Sequence, residues 1–296
     1  MPFRSAEARR RYLAAYESWS AEWPLPAEER MVSTRYGSTF VRGAGPEGAP
    51  TLVLLPPARS TSLRWAPNVA ALASAHRVWA VDSIVDFGRS VPSRALPEVA
   101  DFVAWLDELG AALSPGQPFA LAGISYGGWI AARYALARRE RLSRLILIVP
   151  AGVVLPPRAA FLARALLCLL PLRGFTRSFS RWLSNELATR DAASRALLER
   201  SADQTYLALR SFRPRRPLAP SPLSDEELLR LPERTLFLSG SNDRMSDAVA
   251  AAARLRSKAP GVRIELIPGA GHDVATARAE RVNVLLLEHL APNARS

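Results

Sequence analysis

The chain has 296 residues, 49% of them hydrophobic, which is enough to bury a large core and excludes a disordered polymer. Its 39 Lys+Arg against 27 Asp+Glu leave a net charge of +12, nearly all from arginine because Lys258 is the sole lysine. No basic run is interleaved with aromatics and no zinc-binding or RNP-like pattern occurs, so nucleic acid is not expected as a partner.

Cys168 is the single cysteine, which excludes an internal disulfide and fits a reducing compartment. The first residues contain no apolar signal segment, and the longest apolar stretch, 159–172, is broken by Arg164 and Pro171 and is too short to span a bilayer. A soluble cytoplasmic protein is the expectation.

Residues 5–19 read as an amphipathic helix, with Tyr12, Leu13, Tyr16 and Trp19 near helical spacing before Pro24 and Pro26 end it. Residues 1–30 are therefore expected to form an N-terminal helical arm. A hairpin is expected over 31–41, turning at Tyr36-Gly37. A buried strand follows at 51–55 and stops at Pro56-Pro57. A helix around 65–74 leads to a strand at 77–81, and a loop ending near Pro92 precedes a helix at 96–113.

Further strands are expected at 119–122 and 142–149, separated by a helix at 129–140, and at 235–239 and 262–267 after a long interruption. The last two are separated by a helix at 248–258, and a helix at 275–290 closes the chain. Alternation of this kind implies a parallel sheet covered on both faces, with any site at the carboxyl ends of its strands. The expected fold class is α/β: a mostly parallel eight-stranded sheet with helices on both faces. The interruption, residues 156–217, is helical and arginine-rich and reads as a cap inserted after the sixth strand. Residues 31–155 and 218–296 then form the core. Residues 156–216 hold 12 Arg against 4 Asp+Glu, about two thirds of the net charge. A solvated outer face is the plainer reading of those arginines.

The chemistry centres on Gly123-Ile124-Ser125-Tyr126-Gly127, which joins a strand directly to a helix. A serine at the apex of so sharp a turn needs small residues two positions before and after it. Its hydroxyl is a poor nucleophile unless a base takes the proton and an acid orients the base. Of three histidines, His76 lies at the start of a strand and His289 inside the closing helix, so His272, in the loop after the last strand, is the expected base. Asp243, in the loop after the preceding strand, is the expected acid, ahead of Asp247 at a helix start and Asp273 next to the histidine.

Two backbone N–H groups are needed for the oxyanion. Tyr126 follows the nucleophile, and Ala58 is the first residue after Pro56-Pro57 with an N–H to give.

The runs 52–58 through Trp65, 81–90, 123–128, 240–243 and 269–272 together resemble the α/β-hydrolase superfamily over about residues 31–290. The run 60–92 is similar to bacterial carboxylesterase-like members with a helical cap. The family commonly has His-Gly where this chain has Pro56-Pro57. The resemblance implies an α/β-hydrolase fold and hydrolysis of a carboxylic ester or related acyl bond of a small molecule, with no metal or organic cofactor. Serine at the elbow sets it apart from the family's dehalogenases and epoxide hydrolases, which use aspartate there.

A thioesterase, a C–C bond hydrolase, an acyltransferase and a non-catalytic ligand-binding relative stay open. Phe161, Leu162, Leu166, Leu167, Phe175, Phe179 and Trp182 are candidates to line an acyl pocket. An anionic substrate follows if the cap arginines face inward. Contact of a basic, apolar cap with a membrane surface is the weaker alternative, and a homodimer is compatible with the sequence.

Overall fold

The computed structural model describes residues 2–214 and 218–291. Arg215, Arg216 and Pro217, at the end of the arginine-rich segment, lie outside the described residues. In chain order the elements are α1 (Ala6–Ser20), β1 (Glu28–Thr34), β2 (Gly37–Ala44), β3 (Thr51–Leu55), α2 (Ala66–Leu72), β4 (Arg77–Val81), β5 (Val91–Pro92) and α3 (Val99–Leu113). There follow β6 (Phe119–Ile124), α4 (Tyr126–Ala137), β7 (Leu142–Ile148), α5 (Ala159–Leu167), α6 (Arg173–Leu183), α7 (Asn185–Arg190) and α8 (Ala192–Ser211). The chain ends with α9 (Asp225–Leu229), β8 (Thr235–Gly240), α10 (Ala248–Lys258), β9 (Arg263–Ile267), α11 (Val274–Ala277) and α12 (Ala279–Leu290).

The strands form one sheet in the order β1-β2-β4-β3-β6-β7-β8-β9, with β5 pairing β2. Pairs from β4 through β9 are parallel and those involving β1, β2 and β5 with β2 or β4 are antiparallel. The expected eight strands form the main path, and the two-residue β5 is an addition that no hydrophobic pattern marks. The central strands are apolar throughout because both faces are covered. In β3, Leu52 and Leu54 join Trp65 and Leu286 on one face, while Val53 and Leu55 join Trp105 and Trp129 on the other.

Several boundaries differ from expectation. β1 begins at Glu28, inside the expected N-terminal arm, and the helix expected over 129–140 begins directly after the elbow, at Tyr126, and ends at Ala137. The helix predicted from residue 96 begins at Val99, because Pro97 favours an extended residue before it and Glu98 with Asp101 forms a capping box. The closing helix predicted over 275–290 is split at Arg278 into α11 and α12. At the amino end, Ser5 caps α1 by accepting the Ala8 N–H at 3.0 Å. The buried Tyr12 and Tyr16 pack with Phe3, Phe40 and Phe212, tying α1 to both the sheet and α8.

The chain leaves β3 toward β4 and returns to β6 on the opposite side of β3. The carboxyl ends of β3 and β6 therefore flank a point where the winding direction reverses, the usual crevice of an open α/β sheet.

Candidate active site

The turn between β6 and α4 places Ser125 at φ 51°, ψ −113°, a left-handed backbone unusual for a residue with a side chain. The flanking glycines are demanded sterically. A Cβ on Gly123 would collide with the Gly127 backbone, and one on Gly127 would lie 2.6 Å from the carbonyl oxygens of Leu55 and Pro56. The elbow is thus pressed directly against the loop that leaves β3.

In that loop Arg59 also has positive φ, 58°, and its N–H donates to Asp86 Oδ2 at 2.6 Å. Asp86 also accepts the N–H of Phe87 at 2.9 Å, so one carboxylate binds the loop after β3 to the loop after β4. Sequence reasoning missed Asp86, whose only signal is its place in a strand-end loop beside Gly88. Neither the Ala58 N–H nor the Tyr126 N–H has an acceptor among the described residues. Both predicted donors are unspent at the two strand ends that meet here.

The loop after β4 is organised by Asp82. Its buried carboxylate accepts the N–H groups of Ser62 at 2.7 Å and Arg89 at 2.8 Å, and burial raises its pKa.

Asp243 and His272 come together from the loops after β8 and β9. These loops are joined by the Asn242 N–H to the Ala270 carbonyl at 2.9 Å. His272 Nδ1 lies 3.0 Å from Asp243 Oδ2 and 3.2 Å from Oδ1. The Asp243 side chain is 1% exposed and its Oδ1 also accepts the Met245 N–H at 2.7 Å, so its orientation is set from two sides.

The Ser125 hydroxyl, in turn, points to Met245 Sδ at 3.9 Å and makes no hydrogen bond to His272. Met245, two residues after Asp243, was not anticipated. It touches both the serine and the aspartate.

The other candidates are engaged elsewhere. Asp247 caps α10 through the Ala250 N–H and pairs with Arg158. Asp273 is buried, and its Oδ2 accepts the Leu187 N–H of α7 at 2.9 Å. Burial raises its pKa, with Arg64 and His272 acting in the opposite direction. His76 is buried at the amino end of β4, and His289 meets the Arg234 carbonyl at 3.2 Å.

Four of the eight arginines in α5–α8 meet acids or rings of their own segment, while Arg200 pairs with Glu22 and Arg190 donates to the Ala277 carbonyl. Arg173 and Arg177 pair with Asp203, Arg177 and Arg181 with Glu199, and Arg164 lies over the Trp182 ring. Of the expected acyl-pocket residues, Phe161, Phe179 and Trp182 pack on one another. Leu162, Leu166 and Leu167 instead face outward and are exposed. Spacing defines a helix's apolar face but not the direction in which tertiary packing turns it.

A family model described as "Alpha/beta hydrolase family" matches residues 52–284. The chain is 30% identical to the carboxylesterase YbfK of Bacillus subtilis, over 98% of this chain and 97% of that protein. The crystal structure of that carboxylesterase, CesB (YbfK), superposes with a TM-score of 0.86 at 29% identity, covering 97% of this chain and 99% of the other. The naproxen esterase (carboxylesterase NP) of B. subtilis superposes with a TM-score of 0.88 at 26% identity, covering 97% and 100%.

Proposed function

This chain belongs to the alpha/beta hydrolase family, and we propose that it is a carboxylesterase in which Ser125 is the nucleophile, His272 the base and Asp243 the acid that orients it. The observation that carries the assignment is the His272–Asp243 pair, 3.0 Å apart, held at the same sheet edge as a serine in a strained elbow. The near full-length likeness to a carboxylesterase supports the choice of ester as substrate.

In the proposed reaction Ser125 Oγ attacks the ester carbonyl carbon while His272 Nε2 takes the hydroxyl proton. The C–O bond to the alcohol breaks, His272 returns the proton to the leaving oxygen, and an acyl-enzyme remains. Water then attacks the acyl carbon with His272 again as base, releasing the acid and restoring Ser125. Asp243, accepting from Nδ1–H, leaves the Nε2 lone pair free for the serine.

The Ser125 hydroxyl must turn from Met245 Sδ to engage His272, a rearrangement that active sites commonly complete on substrate binding. The unspent Ala58 and Tyr126 N–H groups are the proposed oxyanion donors. Pro56-Pro57, in place of the family's usual pair, is accommodated because neither residue is required to donate. The inserted helices α5–α8 serve as the cap, and the substrates are small acyl esters.

Turnover of p-nitrophenyl butyrate by the wild-type chain, and its loss in Ser125→Ala, tests the reading. Ala retains the Cβ, so it removes the hydroxyl without changing the backbone demand. Undiminished turnover in that variant contradicts the assignment.

A further inference from the structure

Helix α5 is turned the wrong way for a helix of an isolated globule. Leu162, Leu166 and Leu167, followed by Leu169, Leu170 and Leu172 in the turn to α6, are each between 43% and 66% exposed. No residue of α5 is buried. Residues three and four apart share a helix side, so Leu162, Leu166 and the start of the turn present one apolar surface. The helix's arginine takes the inner position instead, with the Arg164 guanidinium 5.0 Å from the Trp182 ring centre. The turn is held in place: buried Cys168 donates its Sγ–H toward the carbonyls of Arg164, 3.4 Å, and Phe175, 3.8 Å. Six outward leucines on a pinned segment form the kind of apolar patch that marks an interaction surface.

What borders the patch indicates its occupant. A groove of about 510 Å³ between α1 and α8 is lined by Arg11, Arg173, Asp203, Tyr206 and Arg210. The Tyr206 hydroxyl donates to the Pro171 carbonyl at 3.2 Å, so the groove adjoins the leucine turn. Arg173 is neutralised by Asp203, whereas Arg11 and Arg210 have no hydrogen-bond or ion-pair partner among the described residues.

From this juxtaposition of an outward leucine turn and a groove with two unpaired guanidiniums, we propose that the α5–α6 turn docks the protein on an anionic phospholipid bilayer. The leucines enter the headgroup–acyl boundary and Arg11 and Arg210 meet lipid phosphates. Charge favours this occupant over a second copy of the chain. A symmetric contact through the same face would bring the unpaired Arg11 and Arg210 of one copy toward those of the other. Among the described residues no helix is long and apolar enough to cross a membrane, so the contact is peripheral.

The test is sedimentation of the full chain with sucrose-loaded vesicles of phosphatidylcholine, with and without phosphatidylglycerol, alongside its mass in solution. Wild type is expected to partition onto the phosphatidylglycerol vesicles at least about tenfold more strongly than onto phosphatidylcholine alone, with the difference shrinking at high salt. The triple variant Leu166→Ser, Leu169→Ser, Leu170→Ser is expected to lose binding by about tenfold or more. Arg11→Gln with Arg210→Gln is expected to lower the preference for anionic vesicles by about tenfold. Both variants lie outside the proposed catalytic machinery and should hydrolyse dissolved p-nitrophenyl butyrate at the wild-type rate, which also reports that they are folded. Equal partitioning of wild type onto the two vesicles, or undiminished binding by the leucine variant, overturns the proposal. So does a wild-type dimer that the leucine variant converts to monomer, which assigns the patch to a second copy.

Discussion

Replacing Asp243 by Asn separates the orienting role of the carboxylate from simple packing, because the two side chains have nearly the same volume. Oδ1 accepts the Met245 N–H at 2.7 Å, so the amide oxygen of the substituted side chain is held on that side, where an NH2 group would face another donor. The amide nitrogen then occupies the place of Oδ2, 3.0 Å from His272 Nδ1, and donates to it. An imidazole that accepts at Nδ1 carries its proton on Nε2 and has no lone pair left for the Ser125 proton. The buried hydrogen bonds are all still made, so the fold should persist while the base is lost. The loss in kcat is expected to be about 10⁴-fold, a barrier increase of roughly 5 kcal/mol. Initial rates with p-nitrophenyl butyrate, paired with thermal unfolding of both proteins, measure it. A variant within about tenfold of the wild-type rate, unfolding at the same temperature, would refute the assignment of Asp243 as the orienting acid.

Three other perturbations probe the supports of the site and of the inserted helices. Gly127→Ala places a methyl group 2.6 Å from the Leu55 and Pro56 carbonyls, so the loop carrying Ala58 must move. A kcat loss of about 10²-fold is expected, and wild-type kinetics would mean that this loop does not shape the oxyanion site. Asp86→Ala removes the acceptor of the Arg59 N–H and should lower kcat by about tenfold or more, with a smaller change in KM, in steady-state kinetics. Asp203, held down to about 2 by hydrogen bonds and charge from Arg173 and Arg177, has a folded-state pKa below its unfolded value. It therefore contributes stability above about pH 4 that is lost as pH falls toward 2. Discounted for solvent screening of these partly exposed partners, the contribution is about 1 kcal/mol. Asp203→Asn should unfold at lower urea concentration than wild type at pH 7, and the gap should narrow on acidification. A gap that does not change with pH would contradict the ion-pair account.

The elbow was legible in the sequence because its demand is local: a serine in left-handed backbone, pressed on a neighbouring strand end, permits only Gly123 and Gly127 beside it. The parallel strands were legible because burial on both faces leaves them as continuous apolar runs. His272 and Asp243 could be brought together because each follows a strand at one end of the sheet, and the parallel sheet covered on both faces follows from the strand-helix alternation, whereas the α/β-hydrolase fold was implied by the resemblance of the motif runs. What was not legible depends on contacts between distant segments. Asp86 matters through a backbone N–H 27 positions earlier, and Met245 through a serine in the turn after another strand. Strand β5 is two residues long and contains a proline. The leucines of α5 show an apolar face in any helical plot, but only packing shows that it points away from the protein.

Labelling the native chain with a fluorophosphonate and mapping the modified peptide tests the central claim most directly, since the reagent traps an activated serine whatever the natural ester is. A single adduct on Ser125, absent in Ser125→Ala and strongly slowed in Asp243→Asn, is the predicted result. No adduct on the folded protein, or one that survives Ser125→Ala, would contradict a serine hydrolase built on this elbow.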